Sequence, residues 1–183
     1  WRSDGTSAGT YELDYGTGGN YVYEMVGMNG TAYLSGYAPS VGSELLRSDG
    51  TQAGSVALDV NPGTNASSDP ALLTPILGRL WFAGRTGTNG LEPMVSDGTL
   101  AGTVALGDFY PGPAASSPNG FTACGSNRVV FSMVQPGVGR ELWISDGTPA
   151  GTQLLLDIWP GTSASDCSNF LADGNRAFFS AFS

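Results

Sequence analysis

Short apolar runs recur along the chain, separated by stretches rich in Gly, Ser, Thr and Asn. Ala32-Tyr33-Leu34, Leu80-Trp81-Phe82, Val129-Val130-Phe131 and Ala177-Phe178-Phe179 are apolar at consecutive positions rather than alternate ones. Consecutive apolar positions mark strands buried on both faces. A turn signal precedes each run: Asn29-Gly30, Gly78-Arg79, Gly125-Ser126-Asn127 and Gly174-Asn175. Asn-Gly and its relatives close tight hairpins, because both central residues must take positive φ. The spacing predicts a first strand around Glu24–Val26, Leu72–Leu77, Phe121–Ala123 and Phe170–Ala172, with the apolar run as the second. A third follows at Glu-Leu-Trp or a relative of it. A fourth is predicted at Val56–Leu58, Val104–Leu106 and Gln153–Leu156. No stretch carries a 3.6-residue period, so the predicted class is all-β.

The pattern is an internal repeat. Ser-Asp-Gly-Thr occurs at Ser3–Thr6, Ser48–Thr51, Ser96–Thr99 and Ser145–Thr148, at separations of 45, 48 and 49 residues. Each copy continues as x-Ala-Gly-Thr/Ser and then reaches Asp14, Asp59, Asp108 or Asp157. Three copies then read Pro-Gly, and the first has Gly16-Thr17-Gly18-Gly19 instead. One four-stranded meander per repeat of about 40–50 residues is the signature of a β-propeller. The expectation is therefore one propeller domain over 1–183, with repeats roughly at 1–45, 46–93, 94–142 and 143–183. The chain starts in a third strand and ends in a second. Its first two strands are thus candidates to complete the last sheet of a closed four-bladed ring; the alternative is a segment of a larger ring.

Charge narrows the partners. The chain has 183 residues, 16 acidic and 7 basic, with no His and a formal charge of −9. Nucleic acid needs Lys/Arg patches that are missing here, and anionic membranes are disfavoured for the same reason. No apolar run approaches the roughly 20 residues of a membrane helix. The chain opens inside a motif and without Met, which suggests a processed product or part of a longer protein. Cys124 and Cys167 fall at opposite ends of parallel strands, roughly 20 Å apart at 3.3 Å per residue, and are expected not to pair.

Glu141-Leu142-Trp143-Ile144-Ser145-Asp146-Gly147-Thr148-Pro149-Ala150-Gly151-Thr152 resembles the ELWxxDGT repeat family of large secreted or surface proteins of bacteria, and the resemblance runs over essentially the whole chain. It implies a propeller-like fold and an extracellular or cell-surface location, and little about activity. The departures are Leu46 and Met94 at the Trp position, Pro93 inside the motif and Ser55 for Thr. The motif is also similar to the Asp-box turn of sialidase propellers. That likeness implies a structural role for Asp4, Asp49, Asp97 and Asp146, whose carboxylates would hold the turn.

The chemistry points the same way. Asp4-Gly5, Asp49-Gly50, Asp97-Gly98 and Asp146-Gly147 read as turn-formers, with Asp capping amides and Gly supplying positive φ. Ca²⁺ is the one metal these turns suggest, but it takes six to eight oxygens and each turn offers one Asp; no metal site or cofactor is expected. Arg79, Arg128 and Arg176 recur at the start of the second strand and are expected to meet a neighbouring blade or a carbonyl, with Glu44, Glu92 and Glu141 as candidate partners. A residue repeated in every blade favours structure over catalysis, which needs its residue once. Without His there is no Ser-His-Asp or Cys-His system. A two-carboxylate glycosidase remains formally open. The possible ligand site at a channel mouth comprises Asp69, Asp166, Glu24 and Asp173, weighed against ordinary solvated loops. Asn29 and Asn65 head glycosylation sequons. The leading expectation is a non-enzymatic exported scaffold or interaction module whose partners are protein subunits or surface glycans. The rivals are a glycan-binding lectin and a glycoside hydrolase.

Overall fold

The computed structural model describes residues 1–16, 21–63 and 66–183. The elements are all strands: β1 (Tyr21–Met28), β2 (Thr31–Ala38), β3 (Gly42–Ser48), β4 (Val56–Leu58), β5 (Ala71–Ile76), β6 (Arg79–Gly84), β7 (Glu92–Ser96), β8 (Val104–Ala105), β9 (Asn119–Ala123), β10 (Val129–Gln135), β11 (Gly139–Ser145), β12 (Gln153–Leu156), β13 (Ser168–Asp173) and β14 (Arg176–Ser180). They form three antiparallel meanders, β1–β4, β5–β8 and β9–β12, followed by the two-stranded sheet β13–β14. The four-strand repeat is therefore observed, with β8 one residue shorter than expected because Leu106 leaves the strand and buries beside it.

The double burial of β2, β6 and β10 has a simple cause, since each of their sheets is packed between neighbours; the fourth apolar run, β14, departs from the expectation, with Phe178 52% exposed. Tyr33 and Leu45 of the first sheet meet Leu80, Phe82 and Met94 of the second. Trp81 and Val95, on the second sheet's other face, meet Phe131 and Trp143 of the third. Val130 and Ile144 then meet Phe170 and Phe179 of the two-stranded sheet. Alternate residues of a strand face opposite neighbours, and the cross-strand register repeats: Leu34 opposite Leu46, Phe82 opposite Met94, Phe131 opposite Trp143. Phe82 and Phe131 are fully buried, which stabilises the fold by about 1.5–3 kcal/mol each. Consecutive sheets also meet through their first strands, β1 with β5, β5 with β9 and β9 with β13. Each first strand carries a register shift. In the last three, Leu72, Gly120 and Asn169 take positive φ at that bulge, which bends the strand.

Two expectations are corrected. The second hairpin turns on Leu77-Gly78, with φ of 53° and 74°, and Arg79 already belongs to β6. This turn is the counterpart of Asn29-Gly30, with φ of 52° and 77°. A Leu in that region is strained and Asn is not. Leu77→Asn is expected to stabilise the protein by about 0.5–1 kcal/mol, read as a rise in urea midpoint; no rise would mean the Leu77 turn is unstrained. Second, the N-terminal segment does not complete the last sheet. It forms its own hairpin through an Arg2–Tyr11 bridge. Among the described residues it makes no bridge to β14, so the array is open.

Candidate functional site

The four Ser-Asp-Gly-Thr segments share one hydrogen-bond network. In the last, Thr148 donates from its backbone N and its Oγ1 to Asp146 Oδ1 at 2.9 and 2.7 Å. Gly147 N donates to Ser145 Oγ, and Gly151 N donates to Thr148 Oγ1. Thr152 Oγ1 donates to the Thr148 carbonyl and lies 2.7 Å from Ser145 Oγ. The same bonds recur around Asp4, Asp49 and Asp97, with Ser55 in the role of Thr152. Gly5, Gly50, Gly98 and Gly147 take φ of 85–94°, as the turn demands. The glycine of Ala-Gly-Thr has a different reason: a Cβ at Gly9, Gly54, Gly102 or Gly151 would run into the carboxylate of the motif's own Asp.

These bonds act on charge. Donation from Thr6, Thr51, Thr99 and Thr148 holds Asp4, Asp49, Asp97 and Asp146 below the usual carboxylate range. A depressed folded pKa stabilises the fold above the unfolded value of about 3.9, and that stabilisation is lost as pH falls through the lower folded values. Glu44 has the opposite sign. Burial pushes its carboxyl up against the hydrogen bonds from Ser68 and Val60, so its contribution is present at low pH and lost as pH rises through the raised value. Stability is expected to rise on mild acidification through Glu44 and to fall below about pH 3.9 through the four Asp residues. Asp146→Asn should make the acid limb shallower in a melting-temperature titration; an unchanged slope would remove the turn from that limb.

The Glu of the Glu-Leu-Trp segment is a loop clamp. Glu141 is fully buried and accepts from Ile158 N at 2.8 Å and Ser165 N at 2.9 Å. Glu92 accepts from Phe109 N and Ser116 N. Glu44 accepts from Val60 N, Ser68 N and Ser68 Oγ. Each carboxylate thus pins both ends of the loop that crosses to the next sheet. The Glu residues are not the partners of the recurrent Arg. The Ser partner stands 24 residues after its Glu in all three cases, a spacing already present in the sequence.

The arginines bridge sheets. Arg79 Nη1 donates to the Gly147 carbonyl of the next motif, on the neighbouring sheet, at 3.0 Å. Arg47 does the same to Gly98 at 3.0 Å and Arg2 to Gly50 at 3.3 Å. Arg47 and Arg2 precede the motif Ser on the third strand, while Arg79 opens a second strand, so sequence alignment did not group them. Arg176 turns back instead to Asp173, at 2.8 Å.

The four channel-mouth candidates are not one cluster. Asp69 and Asp166 precede β5 and β13, with φ of 44° and 47°. Asp69 pairs with Arg85 at 3.3 Å, and Asp166 faces the charge of Arg140. Ser117 holds the same repeat position and φ, so these residues answer a backbone demand. Asp173 lies at the far end of β13 from Asp166, and Glu24 lies within β1. Among the described residues no group of three or more His, Cys, Asp or Glu is placed to hold a metal. Cys124 and Cys167 are unpaired. Asn29 is exposed in its hairpin turn, while Asn65 lies outside the described residues. A concavity of about 590 Å³ lies between the N-terminal hairpin and the first sheet, bordered by Trp1, Arg2, Glu12, Tyr15 and Met25. No helix is long and apolar enough to cross a membrane among the described residues.

No family model matches the chain, and no curated protein matches it. Among solved structures it is similar to the crystal structure of a puromycin hydrolase mutant complexed with PGG, at 12% identity and a TM-score of 0.50. That alignment covers 87% of this chain and 25% of the other. At such identity the likeness concerns fold alone: an all-β array of repeated antiparallel sheets.

Proposed function

We propose that this chain is a β-propeller segment, within the ELWxxDGT repeat class suggested by its motif, that serves as a non-enzymatic scaffold or interaction module in an extracellular or cell-surface assembly. One observation carries the reading. The recurrent polar side chains that look like chemistry in the sequence are turned onto the fold itself: Asp146 onto Thr148, Glu141 onto Ile158 and Ser165, Arg79 onto Gly147. Successive sheets packed face to face, with first strands adjacent, support radial repetition around a common axis. The partners on this reading are protein subunits.

A glycan ligand is the second reading, favoured by the groove beside Trp1, which is 79% exposed next to Tyr15, Arg2 and Glu12. A stacking ring flanked by hydrogen-bonding groups suits a sugar. A glycan array and a glycoside substrate panel separate the readings. The scaffold reading expects neither saturable sugar binding nor turnover. Binding abolished by Trp1→Ala would establish the lectin. Turnover lost in Glu24→Gln or Asp173→Asn would establish the hydrolase.

A further inference from the structure

The seam between the first and second sheets holds side chains that the repeat does not account for. Tyr33 is buried there against Leu80 and Phe82. Ser35 and Tyr37 share its face, because alternate strand residues point the same way. Ser35 Oγ donates to the carbonyl of Pro70, just before the second sheet begins. Glu24 lies opposite Ser35, and Tyr21 lies opposite Tyr37. Both β1 side chains therefore stand on the face that meets the second sheet. Two positions along β2 separate the carboxylate from the rings, a distance of about 7 Å. The Tyr21 and Tyr37 rings are 6.5 Å apart between centroids and tilted by 53°. They are 66% and 37% exposed.

These residues occur once. Opposite Ser35, Ala83 and Ser132 stand Glu24, Ala71 and Asn119. The repeat spacings of 48 and 49 make Arg85 and Val134 the counterparts of Tyr37. The Glu24 side chain is half-buried, and among the described residues it makes no hydrogen bond or ion pair. Asp69, next to Pro70, is taken by Arg85 at 3.3 Å. Glu24 is left without a cation. A half-buried carboxylate with no partner works against folding, unlike the recurrent Glu residues, which loop amides satisfy. The chain's ends do not explain the exposure. Both sheets of the seam belong to this chain, and Leu72, on β5 with β1 and β9 to either side, is itself 43% exposed.

We propose that Tyr21, Tyr37 and Glu24 form a binding site for an organic ammonium ion, which rests on the free ring faces and has its charge met by the Glu24 carboxylate. Aromatic faces carry the negative end of the ring quadrupole and attract a cation within about 6 Å of the centroid. Charge selects the ligand. A net charge of −9 draws cations to the surface. An anion is repelled by Glu24, and a neutral ligand leaves its charge uncompensated. A bare Ca²⁺ ion wants six to eight oxygens, and among the described residues no three acidic or other metal-binding side chains gather here. The site goes beyond the scaffold reading and does not depend on it.

The test is an NMR titration of the 183-residue chain with tetramethylammonium chloride, with NaCl holding the ionic strength constant. The ring signals of Tyr21 and Tyr37 should shift saturably. Glu24→Gln and Tyr21→Leu should each weaken binding about fivefold or more. tert-Butanol, a neutral group of similar shape, should leave the rings unmoved. Glu24→Gln should also leave the urea midpoint unchanged or higher, since it removes an unpaired charge; this separates lost binding from lost folding. The absence of a saturable shift overturns the proposal. So does an equal response to tert-butanol, which would make the seam an apolar patch only. Binding indifferent to Glu24→Gln overturns it as well, and so does a lower midpoint in that variant, which would give the carboxylate to the fold. None of these readouts involves sugar, so the scaffold reading fails separately, through the glycan and turnover assays.

Discussion

Glu141→Gln is expected to destabilise the protein by about 2–4 kcal/mol, far more than an isosteric change on the surface. The carboxylate is fully buried and accepts from Ile158 N and Ser165 N through its two different oxygens. Gln keeps the shape but turns one acceptor into an NH₂ that must face a backbone N–H. One hydrogen bond is lost, a buried donor is left unsatisfied, and the surviving bond loses its charge assistance. For a chain of this length each kcal/mol moves the melting temperature by about 2–4 °C, so a drop of roughly 5–15 °C is expected. Hydrogen exchange should also speed at Ile158 and Ser165 ahead of the amides of β10. Glu12→Gln, on an exposed residue, is the control and should change little. If both variants melt alike, the loop-clamp account is wrong.

Gly151→Ala is expected to cost about 1–3 kcal/mol, although the backbone there does not require positive φ. The cause is space. The added methyl would occupy the position of the Asp146 carboxylate, which would have to swing out and abandon Thr148 N and Oγ1. The turn would then lose its capping acceptor as well as its packing. A double-mutant cycle isolates the effect: with Asp146→Ala already made, Gly151→Ala should cost markedly less, because the space has been vacated. Additive penalties in urea unfolding would show that the two residues are not coupled.

The motif's length follows from the same contacts. Ser-Asp-Gly-Thr-x-Ala-Gly-Thr is a closed local network in which the second Gly makes room for the Asp, and the final Thr returns to the first Ser. The upstream Glu adds one long-range bond set that ties the turn's strand to the crossing loop. Tolerance at the Trp position is also explained. Leu46 and Met94 stand where Trp143 does, and all three are buried in apolar surroundings, so volume and apolarity suffice there.

What was legible in the sequence was local and periodic. Strand order within the repeat, the Asp-Gly turns and the burial of β2, β6 and β10 follow from short-range hydrogen bonding and from a recurring pattern. What only the tertiary structure decided depends on through-space neighbours. Leu77 rather than Arg79 takes the strained turn position because the register of β5 with β6 sets where the hairpin closes. Arg2 and Arg47 share a role with Arg79 from a different strand, since adjacent strands bring unlike sequence positions to the same point. The recurrent Glu meets loop amides and a Ser rather than Arg. Asp69, Asp166, Glu24 and Asp173 are spread along the first strands, because a strand separates its two ends by its full length. A repeat specifies each sheet from within; which edges and faces stay uncovered is a property of how the sheets are stacked.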